Sequence, residues 1–101
     1  MSLKTAPFDA AKYLKTDQDM ADYLQAVFED CQGEPQAIIS ALGDIARAKG
    51  IQALARQTNL SRAHLYTALS PNGNPEFATI LKVFWGLGLR LNVQSQGVVL
   101  P

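Results

Sequence analysis

The sequence has little of what most functional sites require. Its 101 residues include one cysteine, Cys31, and one histidine, His64. A lone cysteine closes no internal disulfide, so stability is expected to come from an apolar core in a reducing, cytoplasmic setting. His64 has no ligand-type neighbours at metal-binding spacing and no acid paired with it. A glycine-rich loop following a strand is also missing, so we expect neither an enzyme nor a cofactor or metal site. The chain has no apolar run near the roughly 20 residues that span a bilayer, and its start carries no signal-peptide pattern.

One further absence is local. Formal charge is zero overall, yet no carboxylate occurs between Ile45 and Pro75, where Arg47, Lys49, Arg56 and Arg62 give a local charge of +4. Residues 1–34 compensate with seven acids against three lysines, a local charge of −4. This split is expected where one end of a molecule meets an anion and the other a cationic partner. Ordinary solvated faces are the simpler alternative.

What is present is mostly helical patterning. About half of the residues are apolar (48%), as in a packed globular domain. Residues 1–15 are mixed and read as an extended N-terminal arm. From Thr16 or Asp17, the residues Met20, Tyr23, Leu24, Val27, Phe28 and Cys31 recur at helical spacing, and Gly33 ends that stretch. Pro35 opens a second helix with Ile38, Ile39, Leu42, Ile45 and Ala46 inward, closing at Lys49-Gly50. A short third helix runs from Ile51 to about Gln57, and a fourth starts after the N-cap Ser61 with Leu65, Ala68 and Leu69 inward. After the turn Ser70-Pro71-Asn72-Gly73, Asn74 is expected to cap a fifth helix with Pro75 at its first position and Phe77, Ile80, Leu81, Phe84 and Leu87 inward. Trp85, beside that face, is either buried or a subunit contact. Residues 89–94 alternate apolar and polar, the period of a half-buried strand, and residues 95–101 form a tail. A lone strand needs a partner: the N-terminal segment, a second subunit or another protein. The expected fold is all-α: a compact five-helix domain over residues 16–94 with a short C-terminal β-strand.

The third and fourth helices meet the steric rules of a helix-turn-helix. Ala55 is the small residue where the helices cross. Asn59 can take a left-handed backbone in the turn, Leu60 tucks inward, and Leu65 follows five positions later. In such a motif the second helix enters the DNA major groove and its N-terminal residues face base edges. Those positions are Ser61, Arg62, Ala63, Tyr66 and Thr67. Arg62 can donate two hydrogen bonds to guanine, and Tyr66 can reach a thymine methyl or a phosphate, although it could also pack on its own helix. Arg47, Lys49, Arg56, Asn72 and Asn74, with His64 at the flank, are candidates for the DNA backbone. Carboxylates here would repel phosphates.

The segments ALGDIARAKG at 41–50, LARQTNLSRAHLYTALSPNGNP at 54–75 and FATILKVFWGLGLRLNV at 77–93 resemble an addiction-module antidote (antitoxin) family of the Cro/repressor helix-turn-helix class. The likeness runs from about Phe8 to Val93. It implies a homodimeric DNA-binding antitoxin that represses its own operon and neutralises a small toxin of the ParE/RelE type. Asn59 and His64 stand where glycine is expected in relatives, and Trp85 where a polar residue is. A basic toxin suits the acidic N-terminal half, with Asp17, Asp19 and Asp22 as candidate toxin-binding residues. A stand-alone phage-type repressor, or a protein-interaction module that has lost DNA binding, are the alternatives.

Overall fold

The computed structural model describes residues 13–30 and 34–95. Five helices follow in order: α1 (Asp17–Asp30), α2 (Pro35–Lys49), α3 (Ile51–Thr58), α4 (Arg62–Ala68) and α5 (Phe77–Gly86). They enclose one apolar core in which Leu42, Ile45, Leu54, Leu65, Val83 and Leu87 are fully buried. Every helix contributes to this cluster, so burial of the apolar stripes, rather than intrinsic propensity, holds these short helices together.

The helix starts and stops are explained by local chemistry. At the head of α1, Thr16 Oγ1 accepts from the Asp19 amide at 3.0 Å, and Asp19 Oδ2 accepts in return from the Thr16 and Lys15 amides, each at 3.1 Å. This reciprocal cap satisfies amides that the first turn leaves without partners. Pro35 occupies the first turn of α2, where its missing N–H costs nothing. Gly50 then takes φ +109°, which lets α3 begin one residue after α2 ends. At the other end of the chain, α5 closes with a paired signature. The Leu89 amide donates to Phe84 O at 2.8 Å and the Gly88 amide to Trp85 O at 3.0 Å.

Several expectations are corrected. Helix α5 begins at Phe77 with Glu76 as N-cap (φ −67°, ψ 153°), rather than at an Asn74 cap with Pro75 helical. Proline fixes φ alone, a value equally suited to extended backbone, and residues 73–76 are outside any helix. The first bond of the helix closes on Glu76 O, from the Ile80 amide at 3.1 Å. Phe77 is consequently not inward: its ring projects from the first turn and is 68% exposed. Trp85, two turns on, is 66% exposed, so it too stays out of the core.

The C-terminal strand does not form among the described residues: 89–94 have no ladder partner and no regular structure. Leu89 packs partly against the core and Leu91 sits at its edge, while Val93 is 95% exposed. The alternation thus lays the start of this segment over the helices without pairing it to another strand. Of the expected arm, residues 1–12 lie outside the described residues, as do Cys31, Gly33 and the end of the tail, 96–101. Leu14 is buried in the core.

Candidate nucleic-acid interface

Helices α3 and α4 are joined by a turn whose geometry is set by one residue. Asn59 adopts φ 61°, ψ 29°, and is the one non-glycine residue with positive φ among those described. A left-handed residue directly after α3 reverses the chain, and asparagine tolerates that region better than most side chains do. Thr58 supports the turn from beneath. Its hydroxyl donates to Leu54 O at 2.8 Å and accepts from the Leu60 amide at 3.3 Å. Leu60 and Ala55 pack against the core and Leu65 is fully buried, so the spacing of small, turn and apolar residues is realised as the sequence suggests.

Helix α4 buries Leu65 and Ala68 and turns the rest outward. Ser61, Arg62, Ala63, His64, Tyr66 and Thr67 are all exposed, Tyr66 at 56%. Ser61 is the N-cap, with its Oγ accepting from the His64 amide at 3.0 Å. Its hydroxyl proton stays available to an incoming acceptor.

Around the turn, Gln52, Arg56, Asn59, Ser61 and Arg62 rim a shallow depression shared by α3 and α4. Neither Arg56 nor Arg62 forms an ion pair among the described residues. Two guanidinium groups without ion pairs beside one exposed helix make this corner attractive to anions.

The other candidates are less alike than their sequence positions imply. His64, Thr67 and Asn74 line a second small hollow together with Glu76 and Thr79. Asn72 is exposed in the turn after α4. Gly73, next to it, is packed so closely on the Thr67 and Ala68 carbonyls that any side chain there would collide with backbone. The Gln36 amide donates to Gly73 O at 3.2 Å and ties this turn to α2.

Arg47 and Lys49 are exposed, but both are engaged within the protein. Arg47 is paired with Asp44. Lys49 Nζ lies 2.8 Å from Asp17 Oδ1 and 3.4 Å from Leu87 O. This second pair joins a candidate DNA contact to a candidate toxin contact, a link that residue spacing does not reveal. Asp19 is likewise occupied in the cap of α1. Asp22 is exposed, its Oδ1 accepting from Gln18 Nε2 at 2.9 Å.

Sequence reasoning also missed Tyr23. Its hydroxyl donates to Asp44 Oδ2 at 2.7 Å, across the α1–α2 contact. Burial, reinforced by the neighbouring Asp44 carboxylate, pushes the phenol up to about 12 from the usual 10. An apolar stripe on α1 made Tyr23 look like plain core, and no sequence signal marked its polar end.

Among the described residues the fold is all-helical, with five helices, and presents a basic, acid-free pair of short helices. Residues 4–95 match the family described as "Probable addiction module antidote protein", and the chain belongs to that family. It is also similar to a protein from Haemophilus influenzae (strain ATCC 51907 / DSM 11121 / KW20 / Rd), described as uncharacterized. The two are 42% identical over 95 residues, covering 94% of this chain and 96% of the relative. No solved structure matches the chain. An antidote family implies a cognate toxin partner and suggests a regulatory rather than an enzymatic protein. Among the described residues no helix is long and apolar enough to cross a membrane.

Proposed function

We propose that the protein is a cytoplasmic, sequence-specific DNA-binding antitoxin that neutralises a small ParE/RelE-type toxin and represses the operon encoding both. The observation that carries this reading is the exposed face of α4, with Arg62 beside Arg56 and neither in an ion pair among the described residues, in a member of an antidote family. Helices α3 and α4 act as a helix-turn-helix of the Cro/repressor class. In that arrangement α4 enters the major groove, Arg62 bonds guanine O6 and N7, and Ala63, Tyr66 and Thr67 contact neighbouring base edges. Ser61, Arg56, His64, Asn72 and Asn74 reach the sugar-phosphate backbone. Arg47 and Lys49 do so after exchanging a carboxylate partner for a phosphate. One copy covers too little DNA for tight, specific binding, so the acting species is a homodimer on a two-fold operator.

The acidic α1 side faces the toxin. A toxin that handles RNA carries cationic surface, and carboxylates are a suitable cover for it. Since Asp17 and Asp19 are used internally, Asp22 is the candidate of the three with a carboxylate most available to a partner.

The test is a gel shift on the intergenic DNA upstream of the gene, with salt titrated. Phosphate contacts make affinity fall steeply with salt. Arg62→Ala is expected to lower specific affinity by about 1–3 kcal/mol and to relax preference at one base pair. Unchanged affinity and selectivity would show that α4 is not the reading helix.

A further inference from the structure

Helices α1, α2 and α5 and the segment after α5 line a groove that shares only Asn74 with the proposed DNA contacts. Its wider part, of about 520 Å³, is lined by Phe28, Ile38, Phe77, Ile80, Phe84 and Leu91. That volume is in the range of sites that take a ligand or the anchoring side chains of a helix. A second stretch of about 480 Å³ runs along α1 past Gln18, Ala21 and Gln25, with Asp17, paired to Lys49, and Arg90 also on its wall. Phe28, Phe84 and Leu91 line both stretches, which therefore adjoin. The exposed ring of Phe77 stands at one end of it.

The lip of this groove on α1 is acidic by construction. Two glutamines that line it each hold a carboxylate one turn further on. Gln18 Nε2 donates to Asp22 at 2.9 Å and Gln25 Nε2 to Glu29 at 3.0 Å. Glu34, at the start of α2, lines the far end. The groove therefore asks for a partner that is apolar along one face and cationic along its edge. A basic amphipathic helix has that distribution: residues at i, i+3, i+4 and i+7 fill the floor, and lysines or arginines flanking them meet Asp22 and Glu29.

We propose that this groove receives a basic amphipathic helix of the cognate toxin. The inference rests on the antidote reading above and gives the toxin contact an apolar floor, with Asp17, committed to Lys49, only at its edge. Phe28, Phe77 and Leu91 become its apolar anchors, with Asp22 and Glu29 as its charged rim. Of the proposed DNA contacts Asn74 also lines this groove, so DNA reading on α4 and toxin capture meet at that residue.

The test titrates the purified product of the adjacent reading frame into the full-length chain by calorimetry. Three proteins are compared: wild type, Phe77→Asp, and the charge reversal Asp22→Lys with Glu29→Lys. Phe77 is mostly exposed, so its substitution should leave the fold intact. Circular dichroism checks this, and Phe77→Ala replaces the aspartate if helicity falls. Each variant is expected to weaken binding at least about tenfold, as loss of an interface anchor does, while the operator gel shift is unchanged. Wild-type binding with unaltered variants would overturn the groove and leave the antidote reading standing. If the wild-type chain itself fails to bind the product, the antidote reading falls, and the groove with it. If the variants instead turn a dimer into a monomer in sedimentation and still bind the product normally, the groove is a subunit seam and the proposal is wrong.

Discussion

The phenol of Tyr23 donates a 2.7 Å hydrogen bond to one oxygen of Asp44, and Arg47 is paired with the other. A single carboxylate therefore joins the packing of α1 on α2 to the basic side of the molecule. Hydrogen bonds to charged groups stabilise more than neutral ones, and this one bridges two helices that are also joined by apolar contacts and the exposed Lys49–Asp17 pair.

Tyr23→Phe is accordingly expected to destabilise the fold by about 1–2 kcal/mol at neutral pH, read from denaturant unfolding. The phenol is held at about 12 in the folded protein, above its ordinary value of 10. A raised value means that the native state keeps its proton longer than the unfolded chain does. The associated stability is complete below pH 10 and drains away as pH climbs towards 12. The gap between wild type and Tyr23→Phe should therefore narrow over that interval. A gap that widens there would show that the Tyr23–Asp44 bond is not made in solution.

The turn between α3 and α4 yields a second expectation. Asn59 sits at φ 61°, where a β-branched side chain is strongly disfavoured. Asn59→Val should cost about 1–2 kcal/mol in stability, whereas Asn59→Gly should be close to neutral. Thermal melts of the two variants side by side check this. Equal melting temperatures would mean that the turn has some other conformation.

Arg56 and Lys49 should separate in a salt titration of DNA binding. Arg56 has no acidic partner, so Arg56→Ala should reduce the slope of log affinity against log salt by about one. Lys49 must first leave Asp17, so Lys49→Ala should change the slope less. The same substitution also removes an exposed ion pair between α2 and the start of α1, at a cost below about 1 kcal/mol. Identical slope changes for both variants would mean that the Lys49–Asp17 pair opens freely.

Much of this molecule is readable from residue order, and the reasons are local. The α1 stripe through Met20 and Leu24, the proline start of α2, the Ser61 cap and the left-handed Asn59 each depend on a few neighbouring residues. Misreadings occurred where a local rule had two solutions. Pro75 suits the first turn of a helix and an extended approach equally, and the carbonyl that closes the first α5 bond proved to be that of Glu76. The alternation of residues 89–94 is equally good for a strand and for a segment lying over helices, and no second strand was at hand to decide.

The chain's order of residues by itself determined the five helices, the left-handed turn between two of them and the acid-free stretch around it, because capping, periodicity and backbone sterics act within a few positions. Only the tertiary structure decided which charges stay uncommitted. Lys49 finds Asp17 and Tyr23 finds Asp44 across 32 and 21 positions of chain, while Arg56 and Arg62 find no acid among the described residues. The packing of the helices likewise placed Phe28 and Phe77, which are 49 residues apart, on one groove together with Ile38 of α2. Electrostatic pairing and apolar burial depend on distance in space, and for residues this far apart in the chain that distance exists only once the helices have packed.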